Sequence, residues 1–217
     1  MSAAWRVAAA ILAGGGGTRI GGGVVKGQLV VDGQRIIDRQ LAVLRPLFAE
    51  VLIAANDPAP WADLGLRVVP DRPAGGAPAD GRGDRKSIGP IAGLDAILAV
   101  VPPTIDAVVC VAGDMPFLSA ALLAHLRDAA PTAVALVPRV AGHAEPLLAR
   151  YARALAPVAA DQITAGRYAM VDLLARLGAG VIWIDELELR ALDPELRSIV
   201  NINTSAELAA YDTPQNG

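Results

Sequence analysis

Seven of the ten residues from 14 to 23 are glycine, and they follow directly on the apolar run Val7–Leu12. Glycine loses more backbone freedom on ordering than any other residue, so so dense a cluster interrupts helix and strand alike. The fold must therefore begin with a short buried strand that ends in a loop. A loop without Cβ atoms brings its backbone N–H groups close to a phosphate chain and tolerates the positive φ angles of a tight cradle. Arg19 within it and Lys26 just beyond it add fixed positive charge, and Lys26 is one of two lysines among 19 basic residues. The expected ligand is a small anion. The two commonest glycine loops do not match: no glycine here begins an i, i+2, i+5 set, and Lys26 lies between Val25 and Gly27 instead of standing between glycine and Ser or Thr. A plain flexible turn is the alternative reading, which the basic pair disfavours.

Apolar runs and segments of helical periodicity then alternate. Strands are expected at Val7–Leu12, Val51–Ala55, Arg67–Val69, Ala107–Ala112 and Ala133–Pro138. Helices are expected near Ile36–Leu47, near Ile91–Val100, and from a Ser119 cap to Ala129. This βαβ rhythm implies a mostly parallel sheet with helices on both faces, a Rossmann-like three-layer α/β/α fold. Ligands of such sheets bind at the carboxyl ends of the strands. The glycine loop, Asn56, Asp71 and Asp114 each follow one of the first four strands, so four strand ends point to one crevice.

A length of 217 residues, 53% of them apolar, with a net charge of −3 fits one domain over 1–217. The near-neutral balance and the lack of a basic cluster argue against nucleic acid as a partner. No run approaches the roughly 18 apolar residues of a membrane helix, and the short apolar stretch after Arg6 ends in glycines, as a strand does and a signal peptide does not. With a single cysteine, Cys110, inside an apolar run, a reducing cytoplasm is the expected location and packing the expected role of the thiol. From Pro70 to Gly89 the chain is rich in proline, glycine and alternating Arg and Asp, and reads as a flexible loop; Arg82, Arg85 and Lys86 could close over a phosphate, or the segment could be a solvated insertion.

Asp114 emerges from the strand Ala107–Ala112 beside Pro116. A nucleoside triphosphate brings Mg²⁺, which takes one or two carboxylates together with phosphate oxygens, and Asp114 is placed to supply one. Capping of the following turn is its structural alternative. No nucleophile with a partnered base is apparent; His125 in a helix and His143 in a loop read as structural or exposed.

The ordered set Leu12-Ala13-Gly14-Gly15 with Arg19, Gly21 and Lys26, then Gly89-Pro90-Ile91-Ala92-Gly93-Leu94, Gly113-Asp114-Met115-Pro116, Glu145-Pro146-Leu147, Gly166-Arg167-Tyr168 and Asn201-Ile202-Asn203-Thr204 resembles the molybdenum cofactor guanylyltransferases, a nucleotidyltransferase family. The resemblance spans nearly the whole chain. It implies transfer of GMP from Mg·GTP to the terminal phosphate of molybdopterin with release of pyrophosphate, and proteins that deliver molybdopterin or mature molybdoenzymes as further partners. It implies nucleotide contacts from Leu12, Ala13 and Gly14, phosphate contacts from Lys26 and Arg19, and base and ribose contacts from Asn56 and Asp71. It also implies Mg²⁺ on Asp114, a helix opening near the nucleotide at Gly89 to Gly93, and Asn201 with Asn203 across the crevice. Thr204 and Glu207 have capping-box spacing, which gives Thr204 a structural role as well. The chain departs from the family pattern at Val25, where Asp or Pro is usual, in one extra residue between Arg19 and Lys26, at Gly113, and at Glu145, where many relatives have His. Gly15 tends to accompany guanylyl transfer, with alanine there for cytidylyl transfer. Two other readings stay open: a transferase acting on CTP or another small phosphate acceptor, and a module that binds nucleotide without turnover.

Overall fold

The protein is described by a computed structural model covering residues 5–14, 19–20, 24–72, 88–202 and 207, with the backbone alone at 19, 20 and 24. Strands β1 (Val7–Leu12), β2 (Val51–Ala54), β3 (Arg67–Val69), β4 (Ala107–Ala112), β5 (Ala135–Val140), β6 (His143–Ala144), β7 (Leu148–Ala152) and β8 (Val181–Ile184) form one eight-stranded sheet. Its order is β3-β2-β1-β4-β7-β5-β8, and β6 pairs with the end of β5. The strands β1, β2, β3 and β4 are mutually parallel, β5 and β8 are parallel to each other, and β7 runs antiparallel between β4 and β5. Two separate two-stranded ribbons, Arg19–Ile20 with Val24–Val25 and Val30–Val31 with Gln34–Arg35, carry the chain from β1 to the first long helix.

The helices are α1 (Ile36–Leu47), α2 (Pro90–Val100), α3 (Ala120–Asp128), α4 (Ala156–Thr164), α5 (Met170–Leu177) and α6 (Glu186–Leu192). Alternation along the central strands sorts them into two layers. Val7, Ala9 and Ile11 of β1 and Val109 and Val111 of β4 face a core built with Ile37, Leu41, Leu122, Leu126 and Leu189 of α1, α3 and α6. Ala8, Ala10 and Leu12, with Val108 and Cys110, face the opposite core with Ile91, Leu94, Ile163 and Leu173 of α2, α4 and α5. Both faces of β1 are covered, which is why its sequence is an unbroken apolar run and not an alternating one. Burial pushes the Cys110 thiol up to about 12, as befits a packing residue. Among the described residues no helix is long and apolar enough to cross a membrane.

The expected elements are present with shifted ends: Ser119 caps α3 by accepting from the Leu122 N–H at 3.3 Å, α2 begins one residue earlier at Pro90, and β5 begins at Ala135 and runs to Val140. His143 lies in β6, not in a loop, because the Ala141–Gly142 turn folds it back onto Val140. Residues 73–87 of the expected loop lie outside the described residues.

One buried cation ties the two halves of the sheet to a helix end. Arg150 of β7 is fully buried, and its guanidinium donates to the carbonyls of Leu126 in the last turn of α3 and of Ala129 and Ala130 just beyond it. Its charge also opposes the negative end of that helix, and it lies 5.4 Å from the centre of the Trp5 ring. Burial lowers its pKa, and the α3 carbonyls are what keep the cation tolerable. Replacing it by an apolar residue of similar length, Arg150→Met, should lower the unfolding free energy by about 3 kcal/mol through loss of the guanidinium's hydrogen bonds to the Leu126, Ala129 and Ala130 carbonyls. Urea denaturation checks this; a loss under about 1 kcal/mol would mean that water replaces the guanidinium at no penalty.

Candidate functional site

The registers Leu12↔Ala54, Leu12↔Ala112 and Ala54↔Val69 bring the carboxyl ends of β1 to β4 side by side. The chain leaving β1 is sutured to its neighbours: the Ala13 N–H donates to the Ala54 carbonyl at 3.0 Å, and the Gly113 N–H to the Leu12 carbonyl at 3.1 Å. Leu12, Ala13 and Gly14 therefore lie between the segments after β2 and β4, at the strand ends where the ligand crevice of such a sheet is expected. Helix α2 opens beside it. Gly89, its N-cap, has φ +92°, a left-handed conformation that side chains rarely adopt. At Gly93 a Cβ would lie 3.1 Å from the Ala54 Cβ and 3.4 Å from Leu12 Cδ2, so glycine lets the helix press onto the strand ends.

Lys26 and Asp114 meet in this crevice although 88 residues separate them: Nζ donates to Oδ2 at 3.0 Å, with the side chains only 16% and 18% exposed. Each is placed by contacts elsewhere. Lys26 opens a single 3-10 turn, Lys26–Gln28. Gly27 in that turn packs so tightly on Trp61 that a Cβ would come within 2.9 Å of the ring. Gln28 donates to the Pro60 carbonyl at 2.5 Å and accepts from Arg35 Nη1 at 3.1 Å. Arg35 is itself held by Asp38 and Asp63 at 2.6 to 2.9 Å, and its guanidinium keeps the Asp63 carboxyl below the usual carboxylate range. Asp114 is fixed through its backbone. Its carbonyl accepts from the Ile202 N–H at 2.9 Å, and Gln40 of α1 donates to the carbonyls of Ala112 and Met115 on either side of it.

At the ends of β2 and β3, Asn56 and Asp71 hold each other reciprocally: Asn56 Nδ2 donates to Asp71 Oδ2, and the Asp71 N–H to Asn56 Oδ1, both at 2.9 Å. The next residue, Arg72, donates to both carboxylate oxygens of Asp95 in α2 at 3.2 and 3.4 Å. Burial pushes the Asp95 carboxyl above its ordinary value, with Arg72 pulling it back. Asn201 is half-buried beside Ile202, on the Asp114 side, with its Nδ2 donating to the Ile199 carbonyl at 3.2 Å. Gly15, Asn203 and the Arg19 side chain lie outside the described residues. His125 is away from this cluster, 3.1 Å from Glu188. Among the described residues no group of three or more His, Cys, Asp or Glu could hold a metal ion. Asp114 by itself offers one carboxylate, beside the Lys26 ammonium.

Sequence reasoning did not single out Gln40, Trp61, Arg35 or the Arg72–Asp95 pair. A signal existed for Gln40: it interrupts the apolar face Ile36, Ile37, Leu41, Leu44 at helical spacing. The others depend on tertiary contacts between segments distant in the chain.

A lysine and an aspartate side by side and two further polar residues at the strand ends, on a sheet of this order, fit a nucleotidyltransferase fold. Residues 9–179 match the model of the MobA-like NTP transferase domain, and the chain belongs to that family. It is 35% identical over 175 residues to a probable molybdenum cofactor guanylyltransferase of Chloroflexus aggregans, covering 77% of this chain and 74% of that protein. A protein of the same description from Pelotomaculum thermopropionicum is 30% identical over 166 residues, covering 76% and 73%. Among solved structures, molybdopterin-guanine dinucleotide biosynthesis protein A from Archaeoglobus fulgidus superposes with a TM-score of 0.72 at 27% identity, over 94% of this chain and 96% of that one. A Mycobacterium tuberculosis protein solved with manganese shares the fold alone, with a TM-score of 0.57 at 19% identity, over 84% of this chain and 89% of that one.

The folded state holds the Asp95 proton more tightly than the unfolded chain does. The associated stability is complete below the ordinary value of 3.8 and is lost as pH rises through the higher folded value. Asp95→Asn abolishes this titration, so denaturation midpoints taken from about pH 3 to about pH 7 should show the variant gaining on the wild type as pH rises. A difference independent of pH would show that Arg72 fully compensates the buried carboxylate.

Proposed function

We propose that this chain transfers GMP from GTP to the terminal phosphate of molybdopterin. An oxygen of that phosphate attacks the α-phosphorus of GTP, the bond between the α-phosphorus and its bridging oxygen breaks, and pyrophosphate leaves with the electron pair. The observation that carries the reading is the Lys26–Asp114 pair, a cation and a carboxylate held side by side at the strand-end crevice. The descriptions of the relatives from Chloroflexus and Pelotomaculum support guanylyl as the transferred group.

A phosphate monoester is already a nucleophile, so the residues need to position and to neutralise charge. Lys26 and Arg19 offset the repulsion between the two phosphates, and the backbone of Leu12, Ala13, Gly14 and Gly15 follows the triphosphate. Asn56 and Asp71, locked together, present one amide and one carboxylate to base and ribose. Gly89 and Gly93 let α2 approach the nucleotide, and Asn201 and Asn203 would close the far side of the crevice. Mg²⁺ is the proposed metal, with Asp114 as its protein ligand; when bound it supplies charge neutralisation on the phosphate oxygens. With Asp114 holding the cation, Lys26 would be left to pair with the phosphates.

Pyrophosphate release with Mg²⁺ and molybdopterin should occur with GTP and be at background with CTP, ATP and UTP. Release with CTP instead would move the assignment to cytidylyl transfer, and tight GTP binding without release would make the chain a binding module. Lys26→Ala and Asp114→Asn should each lower kcat/KM by a factor of about 100 to 1,000, the range found when one preorganised transition-state contact is removed. Unchanged turnover in either variant would take that residue out of the mechanism.

A further inference from the structure

We propose that Gln40 is a positioning residue for Asp114, setting the direction of the carboxylate through the backbone of the turn that carries it; this rests on the reading of Asp114 as the metal-holding group. Gln40 stands on α1, 0% exposed, on a face otherwise made of Ile36, Ile37, Leu41 and Leu44. Its Nε2 spends both hydrogens on the turn after β4, donating to the Ala112 carbonyl at 2.7 Å and to the Met115 carbonyl at 3.0 Å. Those carbonyls bracket Gly113 and Asp114. The turn's own bond, from the Met115 N–H to the Ala112 carbonyl, is 3.3 Å long, outside the usual range for a backbone hydrogen bond. The short contacts that hold the turn closed therefore come from the helix and not from the turn.

The orientation of the amide is chemically forced, because turning it over would set Oε1 against two carbonyl oxygens. Held this way, Oε1 is buried with no hydrogen-bond partner among the described residues. An unpaired buried acceptor is unfavourable, and a Leu or Met at this point of the apolar face would avoid it. Packing alone gives no reason for a glutamine here; a requirement to fix the peptides flanking Asp114 does. The Ile202 N–H also holds the Asp114 carbonyl at 2.9 Å, so the residue is clamped by α1 and by the segment at Ile202 together. Outer contacts of this kind orient a metal-binding carboxylate without touching the metal.

The test uses the full chain saturated with GTP, titrated with Mn²⁺ and followed by electron paramagnetic resonance, with protein-free Mn·GTP subtracted. Gln40→Met should bind the same number of Mn²⁺ ions per folded chain at about tenfold weaker affinity, in line with the loss of an outer-shell partner. In the pyrophosphate assay the metal concentration for half-maximal rate should rise by a similar factor, with kcat at saturating metal little changed. A purely structural residue would lower the number of active sites and leave the affinity of each intact, and that result overturns the proposal. Gln40→Asn, which keeps an amide one methylene too short, should fall between wild type and Gln40→Met; if neither variant folds, Gln40 is a determinant of the fold and the positioning role is wrong. Failure of the underlying reading looks different: the wild type itself would bind no Mn²⁺ with GTP, or would bind it equally well after Asp114→Asn.

Discussion

The candidate site depends on the pairing of β1 with β2 on one side and β4 on the other. All three strands are parallel and in register at their ends, so their exits cannot be displaced relative to one another without slipping a buried ladder. A one-residue slip would exchange Ile11 and Leu12 between two different cores, one under α1 and α3, the other under α2. The floor of the crevice is therefore as rigid as the sheet. Small residues are part of that rigidity: Ala8, Ala9 and Ala10 in sequence along β1 let helices settle closely on both faces, and Gly93 lets α2 reach the strand ends.

On this fixed floor the charged groups are hung from remote anchors. Lys26 comes from a one-turn segment that has little structure of its own and takes its place from Trp61, Pro60 and Arg35. Asp114 comes from a strand end clamped by α1 and the segment at Ile202. Two partly buried groups of opposite sign so placed satisfy each other in the absence of ligand, at a distance where desolvation and attraction largely offset. Such a pair adds little net stability and is easily exchanged for stronger partners. That is a useful property in a crevice that must take up a highly charged nucleotide.

How much of this was legible in the chain varied with the range of the interaction. The first strands were readable because burial on both faces leaves an unbroken apolar run, and α3 because Ser119 caps it locally. The rhythm faded after Pro138: β7 contains Arg150, a charge that reads as surface until the α3 carbonyls come into view, and β8 exposes Ile182. The places of Asn56, Asp71 and Asp114 after strand ends could be read from the sequence alone. Their partnerships could not. The Asn56–Asp71 exchange, the Arg72–Asp95 pair and the Gln40 clamp join segments 15 to 75 residues apart, and no periodicity encodes which strand end faces which helix.

On the proposed reading, the pairing of Asp114 with Lys26 would set the order of events. A free divalent ion meets one aspartate that already has a lysine at 3.0 Å, and one occupied ligand is far short of the six that Mg²⁺ prefers. Phosphate oxygens supply the missing ligands, and the same phosphates attract the displaced Lys26. Metal and nucleotide are then bound as one unit, each raising the affinity for the other by reciprocal linkage. On that reading the Lys26–Asp114 geometry would favour a metal-bound triphosphate over the metal alone.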